Sequence, residues 1–334
     1  MFYSNQLEFI PRLNAPNLRE LRLNNNRFPH SNKKPFIVPI GPFGLTFKLF
    51  RINSIHSDSL SLVPNLSELI LDGNSLTNAG IHRGAFDKLN NLKRVSFTNN
   101  FLTEFPMNLP STLNHIFLSD NQLSYVSFES LAKLSNLETL YLNRNRLSDG
   151  SFEHSALSSL NRLREFEISY NLLNHVPHDL QPSLEKLHMT SNKIEFIRSD
   201  EFETLTQLRN IDLAYNRLRA IEHGTLDRLV SLDRIDLSGN NWNCDCNLKS
   251  LKIFLNNNGV HRGVREPVMC GDSDHVGTKL DFIHEDSLQC DAITFNVTTG
   301  QFLLPITNIS LLFVKCCFFD NDLKSLSFDF GSTF

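Results

Sequence analysis

Cysteine is missing from the first 243 residues; all six fall between positions 244 and 317 of a 334-residue chain. A disulfide framework therefore cannot organise most of this chain, and its core must come from apolar side chains. Long hydrophobic runs are scarce as well. A membrane helix needs about 20 mostly apolar residues, and the nearest candidate, Phe302 to Phe319, is broken by Pro305, Asn308 and Lys315. Charge of one sign is also lacking: 32 Lys and Arg stand against 36 Asp and Glu, net −4, with no basic block. That balance argues against nucleic acid as a partner. No Gly-x-Ser-x-Gly motif and no phosphate-cradling glycine loop occurs. The twelve histidines are scattered; Glu153-His154, Glu222-His223 and His284-Glu285 each lack a second histidine at ligand spacing. The sequence reads as a non-enzyme with no cofactor and no metal.

Leucine, by contrast, returns at fixed intervals. Leu137-Glu-Thr-Leu140-Tyr-Leu142-Asn-Arg-Asn145-Arg-Leu147 follows the template L-x-x-L-x-L-x-x-N-x-L. Copies begin at Leu18, Leu66, Leu92, Leu113, Leu137, Leu163, Leu184, Leu208 and Leu232. This is the leucine-rich-repeat signature. In L-x-L the two leucines point to one face of a short strand, the inside of a coil. One coil is too small to bury its own leucines, so neighbours must stack. The expected fold class is an α/β leucine-rich-repeat solenoid: a curved right-handed coil with a parallel β-sheet on its concave face. The Asn follows the strand where the chain turns inward, and can satisfy backbone groups left unpaired there.

From Leu66 the repeat starts are separated by 26, 21, 24, 26, 21, 24 and 24 residues, so Leu66, Leu137 and Leu208 lie 71 apart. Short repeats carry Phe105-Pro106 or Val176-Pro177, and proline favours an extended back segment. Longer ones carry Ala85-Phe86 or Ala156-Leu157, with room for a short helix or 3₁₀ turn. Residues 1–243 are expected to hold about ten repeats, the first truncated. Met1 to Leu7 already reads as half a repeat, so the chain is read as lacking its N-terminal part, and the absence of a signal peptide says nothing about compartment. Residues 29–60 are irregular. The best candidate for an extra coil is Leu45 to Ile55, although Lys48 falls on an apolar position; the alternative, which the sequence favours, is foreign sequence. Residues 291–334 are read as a disordered tail or as sequence foreign to the native chain.

After Leu237 come Trp242, Cys244-Asp-Cys246, an amphipathic helix carrying Leu248, Leu251, Phe254 and Leu255, then Cys270 and Cys290. Residues 244–290 thus read as a cap that covers the last coil. Four cysteines allow three connectivities, and zinc is the rival reading, disfavoured by the C-x-C spacing and the solenoid context.

The short-long-long rhythm and wording such as Leu71-Asp-Gly-Asn-Ser-Leu-Thr…Gly-Ala85-Phe86 resemble the small leucine-rich proteoglycan group, in particular its podocan-like and extracellular matrix protein 2-like repeats, over about residues 1–243. The cap is similar instead to the cysteine-rich C-terminal caps of chondroadherin, Slit and Toll-type ectodomains. That resemblance implies disulfides Cys244–Cys270 and Cys246–Cys290. It also implies an extracellular, secreted matrix protein that binds collagen, another matrix protein or a growth factor. The alternatives are the ectodomain of a cell-surface receptor or adhesion protein and, from a different class, an intracellular scaffold. Disulfides rarely persist in a reducing cytosol, which weighs against the scaffold. Membrane attachment is not expected; pairing of two chains is open.

Candidate contact residues are those between the paired leucines, which should point outward: Ile70, Phe117, Tyr141, Glu167, His188, Asp212 and Asp236, with Tyr170 and Tyr215 just ahead of the Asn. Exposed aromatics followed by an acidic stripe would suit a basic, extended partner. Ordinary strand preference, each ring packing on its neighbour, explains the same residues without a ligand. Asn65 begins an Asn-x-Ser sequon at an expected surface position and is the glycosylation candidate; Asn296 and Asn308 begin two others in the tail.

Overall fold

A computed structural model describes residues 9–10, 12–24, 36–39, 44–48, 52–257, 261–262, 267–271, 276–288, 294–296 and 301–303. The chain divides into two compact units, residues 1–290 and 291–334. In the first unit, twelve of the described strands form one sheet, parallel except at one edge. Each repeat contributes three residues, and the central one is the second apolar position of the template. Leu69, Val95, Ile116, Leu140, Phe166, Leu187, Ile211 and Ile235 stand in register along the sheet, all buried. The flanking strand residues point to the other side and stay mostly half-buried.

The irregular segment does not form the extra coil at Leu45–Ile55 that the sequence offered beside the favoured reading of foreign sequence. Strand β1 (Glu20–Arg22) pairs directly with β4 (Glu68–Ile70), Leu21 opposite Leu69. Strands β2 (Phe36–Pro39) and β3 (Gly44–Lys48) lie beyond β1, not between it and β4. There β3 runs parallel to β1, Leu21 opposite Leu45, and β2 runs antiparallel to β3. The Ile52 amide donates to Asn74 Oδ1 at 3.2 Å, just as the Leu76 amide donates to Asn100 Oδ1 at 3.0 Å one coil later. Ile52 therefore resumes the coil that Leu18 began, and buried Ile55, Leu60 and Val63 complete it. The segment between is an insertion inside one coil. Apolar spacing misleads here because an inserted strand also alternates apolar and polar residues, as a repeat strand does.

Eight asparagines hold the coils to one another. Asn171 is typical: its Nδ2 donates to the carbonyls of Ile168 in its own coil and Leu142 in the preceding one, both at 3.0 Å, and its Oδ1 accepts from the Leu147 amide at 3.0 Å. Asn74, Asn100, Asn121, Asn145, Asn192, Asn216 and Asn240 make the equivalent three bonds. All are buried or partly buried, where an unpaired amide or carbonyl costs about 1–3 kcal/mol.

The residue before each of these asparagines has a positive φ: Gly73, Asn99, Asp120, Arg144, Tyr170, Ser191, Tyr215 and Gly239, between 53° and 68°. This left-handed step lets the chain leave the strand and turn inward while its amide still reaches the next coil, as from Tyr170 to the Thr190 carbonyl at 2.8 Å. Only Gly, Asn and Asp take that conformation readily, yet the repeat imposes it on Arg144, Ser191 and two tyrosines. Outer segments are mostly turns. Helical structure in the repeats is limited among the described residues to Phe128–Leu131, capped by Ser127, and a 3₁₀ turn at Asp149–Ser151; the Ala85 and Ala156 segments form turns.

Past the last repeat, Trp242 is fully buried and donates from Nε1 to the Leu237 carbonyl at 3.3 Å. Helix Lys249–Asn257 turns Leu251, Phe254 and Leu255 inward, and His261–Arg262 adds the final strand. Cys244 and Cys270 form a disulfide. Cys246 is also disulfide-bonded; its expected partner Cys290 lies outside the described residues. The buried Lys252 ammonium donates to the carbonyls of Leu280 (2.8 Å), Asp281 (3.3 Å) and Ile283, tying the helix to the closing loop. In the second unit, expected to be a disordered tail or foreign sequence, the described residues form an antiparallel strand pair, Thr294–Asn296 with Gln301–Leu303. Its β-branched and aromatic residues favour strands. Most of the apolar stretch 302–319, with Asn308, lies outside the described residues, among which no helix is long and apolar enough to cross a membrane.

Asn171→Ala is expected to lower stability by about 3 kcal/mol or more, because three buried backbone groups lose their partner at once; urea unfolding followed by circular dichroism measures it. Gly239→Ala should cost about 1–3 kcal/mol, since φ is +65° and a Cβ would lie 2.5 Å from the Tyr215 ring. Gly150→Ala, with open space around it, is the control in thermal melts.

Candidate functional site: the strand face and its turn edge

Because side chains alternate, the first and third residues of each strand share the open face of the sheet. The parallel register aligns the third positions in one row: Ile70, Ser96, Phe117, Tyr141, Glu167, His188, Asp212 and Asp236. Seven of the nine candidates therefore do come together in a row. Asp236 does not reach the surface, being 5% exposed.

The aromatic part of the row is already an interacting cluster. Phe117 and Tyr141 meet edge to face, centroids 5.0 Å apart, a favoured ring geometry. The Arg94 guanidinium lies 4.9 Å from the Phe117 centroid. On the other side the Tyr141 hydroxyl donates to Glu165, which also pairs with Lys186 at 3.2 Å. Arg94, Glu165 and Lys186 went unnoticed in the sequence. The signal was present, since they occupy first strand positions, two residues from the row and on the same face.

These contacts shift titrations in definite directions. Burial, with Glu165 as hydrogen-bond acceptor and negative neighbour, raises the Tyr141 hydroxyl well above the ordinary range. Burial pushes Glu165 up, but the Tyr141 hydroxyl and the Lys186 ammonium outweigh it and hold the carboxyl below its usual value. His115 is lowered by burial and by Arg94.

The acidic stripe serves the fold. Glu167 accepts from the Ser169 amide at 2.9 Å, Asp212 from the Ala214 amide at 3.1 Å, and Asp236 from the Ser238 amide (3.1 Å) and hydroxyl (2.6 Å). Each carboxylate thus caps the turn two residues onward, as short acidic side chains do in turns. Asp72, raised by burial, accepts instead from Ser96 Oγ and the Thr98 amide one coil on.

Tyr170 and Tyr215 stand just ahead of the Asn, as expected, but outside the row of third strand positions. They occupy left-handed turn positions at the edge beyond the strands, 45% and 41% exposed. Tyr170 lies under Arg144, whose guanidinium carbon is 4.3 Å from the ring centroid, and Tyr215 covers Gly239. Asn65 is exposed, and its Nδ2 donates to the Pro16 carbonyl at 2.9 Å. A cleft of about 520 Å³ among the outer segments brings together Asp149, Glu153, His154, His175, His178 and Asp179. Its carboxylates hold neighbouring coils: Asp149 accepts from the Asn174 amide (2.8 Å) and His175 Nδ1 (3.1 Å), Glu153 from the Phe128 amide, Asp179 from the Ser155 amide. Among the described residues no group of three His, Cys, Asp or Glu is placed to hold a metal ion.

A parallel sheet one three-residue strand per coil, an asparagine ladder and a closing cap define this chain as a leucine-rich-repeat protein. The leucine rich repeat family model matches residues 182–241. Its homologues include members of the small leucine-rich proteoglycan group. It is 33% identical to mouse podocan over 57% of this chain and 32% of podocan. With lumican of Gallus gallus it shares 34% identity over 63% of this chain and 62% of lumican. The chain thus spans about a third of podocan's length and less than two thirds of lumican's. A solved chain in the octameric complex of Latrophilin 3, Unc5D and FLRT2 (LRR) superposes with a TM-score of 0.67 at 30% identity, covering 71% of this chain and 74% of that one.

Tyr141→Phe removes the hydroxyl that holds Glu165 low, so the Glu165 carboxyl should titrate at higher pH in the variant. Side-chain NMR titration reads this directly; an unchanged midpoint would mean that the Tyr141 bond does not set it.

Proposed function

We propose that this chain is an extracellular protein-binding module whose strand face makes the contact, and that it works as a secreted matrix protein with collagen or another matrix or growth-factor ligand. The carrying observation is the single row of Ile70, Phe117, Tyr141, Glu167, His188 and Asp212, fixed in parallel register with its aromatics half-buried and its neighbours locked. A face whose rings and charges are already held loses little conformational freedom on binding, and aromatic anchors dominate interface energies. The disulfide Cys244–Cys270 suits an oxidising compartment, and the kinship with podocan and lumican supports the matrix reading. We assign N-glycosylation to the exposed Asn65, since one Nδ2 hydrogen bonds Pro16 and the other is left for the sugar linkage.

One observation favours a second reading, a receptor or adhesion ectodomain: the likeness to a chain from a complex containing FLRT2, Latrophilin 3 and Unc5D. An intracellular scaffold is the least compatible, because the cap is disulfide-bonded. A second copy of this chain is another occupant the strand face could take.

The test is binding of the secreted, disulfide-bonded chain to fibrillar collagen in a plate or surface-plasmon assay. Saturable binding is expected, weakened about tenfold or more by Phe117→Ala or Tyr141→Ala, the loss typical of an anchor worth over 1.4 kcal/mol. A folded sample that does not bind collagen sinks the collagen assignment. Binding insensitive to both substitutions moves the contact off the strand face.

A further inference from the structure

Two rows of side chains flank the asparagine ladder on its solvent side: the left-handed turn residue before each asparagine and the residue after it. The rows are built by the backbone. From Ser75 to Arg217 the residue after the asparagine donates to the preceding coil, as from Arg146 to Leu123 (2.9 Å), Leu172 to Leu147 (2.7 Å), Lys193 to Leu173 (2.8 Å) and Arg217 to Ile194 (2.9 Å). Since the asparagine and the following apolar residue point inward, these residues point out. Neighbouring coils lie about 4.8 Å apart, so the four amides from Arg146 to Arg217 span roughly 15 Å in a straight line.

Charge is segregated along this edge. Over these coils the two rows carry Arg144, Arg146, Lys193 and Arg217 against the lone carboxylate of Asp120, in a chain whose net charge is −4. Some cations elsewhere are neutralised by neighbours, Arg164 by Glu185 at 3.2 Å, Arg209 by Asp233 at 3.5 Å and Arg228 by Glu203 at 2.6 Å; what marks this edge is that its cations share two adjacent rows. Among the described residues Arg146, Lys193 and Arg217 have no such partner. Arg144 reaches Asp120 only at 4.0 Å and lies against Tyr170. Between the cations stand the exposed rings of Tyr170 and Tyr215, held outward because their backbone conformation is imposed by the turn.

We propose that this edge is a binding strip for a sulfated polysaccharide chain, distinct from the strand face. Unpaired guanidinium and ammonium groups in one row, Lys193 and Arg217 on adjacent coils and Arg146 two coils before Lys193, match an anion repeated along a linear polymer. Ring faces can stack on sugar rings. The clefts lined by Asp149 and His175, by Pro182 and Glu201, and by Ile221 and Phe254 lie elsewhere. Outward cations interleaved with outward tyrosine rings suit a polymer of charges and flat rings, and an acidic peptide is the alternative the test separates.

The test uses the full chain against immobilised heparin, with chemically desulfated heparin and polyglutamate as competitors. Saturable binding is expected, steeply weakened by added salt and not competed by desulfated heparin. The triple variant Arg146→Ala, Lys193→Ala, Arg217→Ala should bind on the order of tenfold more weakly, while Arg164→Ala, Arg209→Ala, Arg228→Ala stays within about twofold of the parent. No heparin binding, equal losses in both triples, or equal competition by desulfated heparin would each overturn the proposal. Polyglutamate displacing heparin at equal charge would replace the polysaccharide with an acidic peptide. All strip positions are at the surface; if the triple melts below the parent, Lys193→Ala and Arg217→Ala singly are expected to lose about threefold each.

Discussion

The repeat asparagine is the constraint from which the rest of this structure follows. A chain that leaves a strand and dives under its neighbour carries backbone amides and carbonyls into an apolar interior. Water cannot follow, so another group must pair them. One carboxamide, with two donors and an acceptor, does this for two coils at once. Removing it unpairs both, so the ladder couples neighbouring repeats beyond the packing of their leucines.

The same turn sets the surface chemistry. Its left-handed residue is fixed by geometry, and its side chain has to project outward. Where that residue is glycine, as at Gly239, the site leaves room for a ring from the coil before. Where it is tyrosine or arginine, an aromatic or cationic group stands in solvent on a rigid base. The carboxylates of Glu167, Asp212 and Asp236 are drawn toward the same turn, where they accept from its amides. A residue type that looks like ligand chemistry can therefore serve the backbone first. Half-buried Phe117 and Tyr141 similarly hold each other while staying partly exposed.

Much of this was legible before any coordinates. The template located every strand of the main sheet from Glu68 to Asp236, the leucine core and the asparagine positions, and apolar spacing located the cap helix that follows Trp242, because each follows from a periodic or fixed-offset pattern. Failures came where the pattern had two physical solutions. Apolar alternation at Leu45 fits either a coil or an inserted strand, and only pairing with Leu21 separates them. Tyr170 and Tyr215 sit one residue from the ladder, and sequence cannot tell a strand neighbour from a turn residue rotated out of the row. Arg94, Glu165 and Lys186 are not marked by the midpoint between the leucines, because a strand has a second outward position two residues earlier.

Local chemistry fixed which residues are inside, since side-chain hydrophobicity and the alternation of a strand are properties of the chain alone. Which outward residues touch was decided only by stacking. The Phe117–Tyr141 contact, the Tyr141–Glu165 bond and the row of unpaired cations at Arg146, Lys193 and Arg217 join residues some two dozen apart. Their meeting depends on the register between coils, and that register is set by the backbone pairing and the asparagine ladder, not by any single repeat.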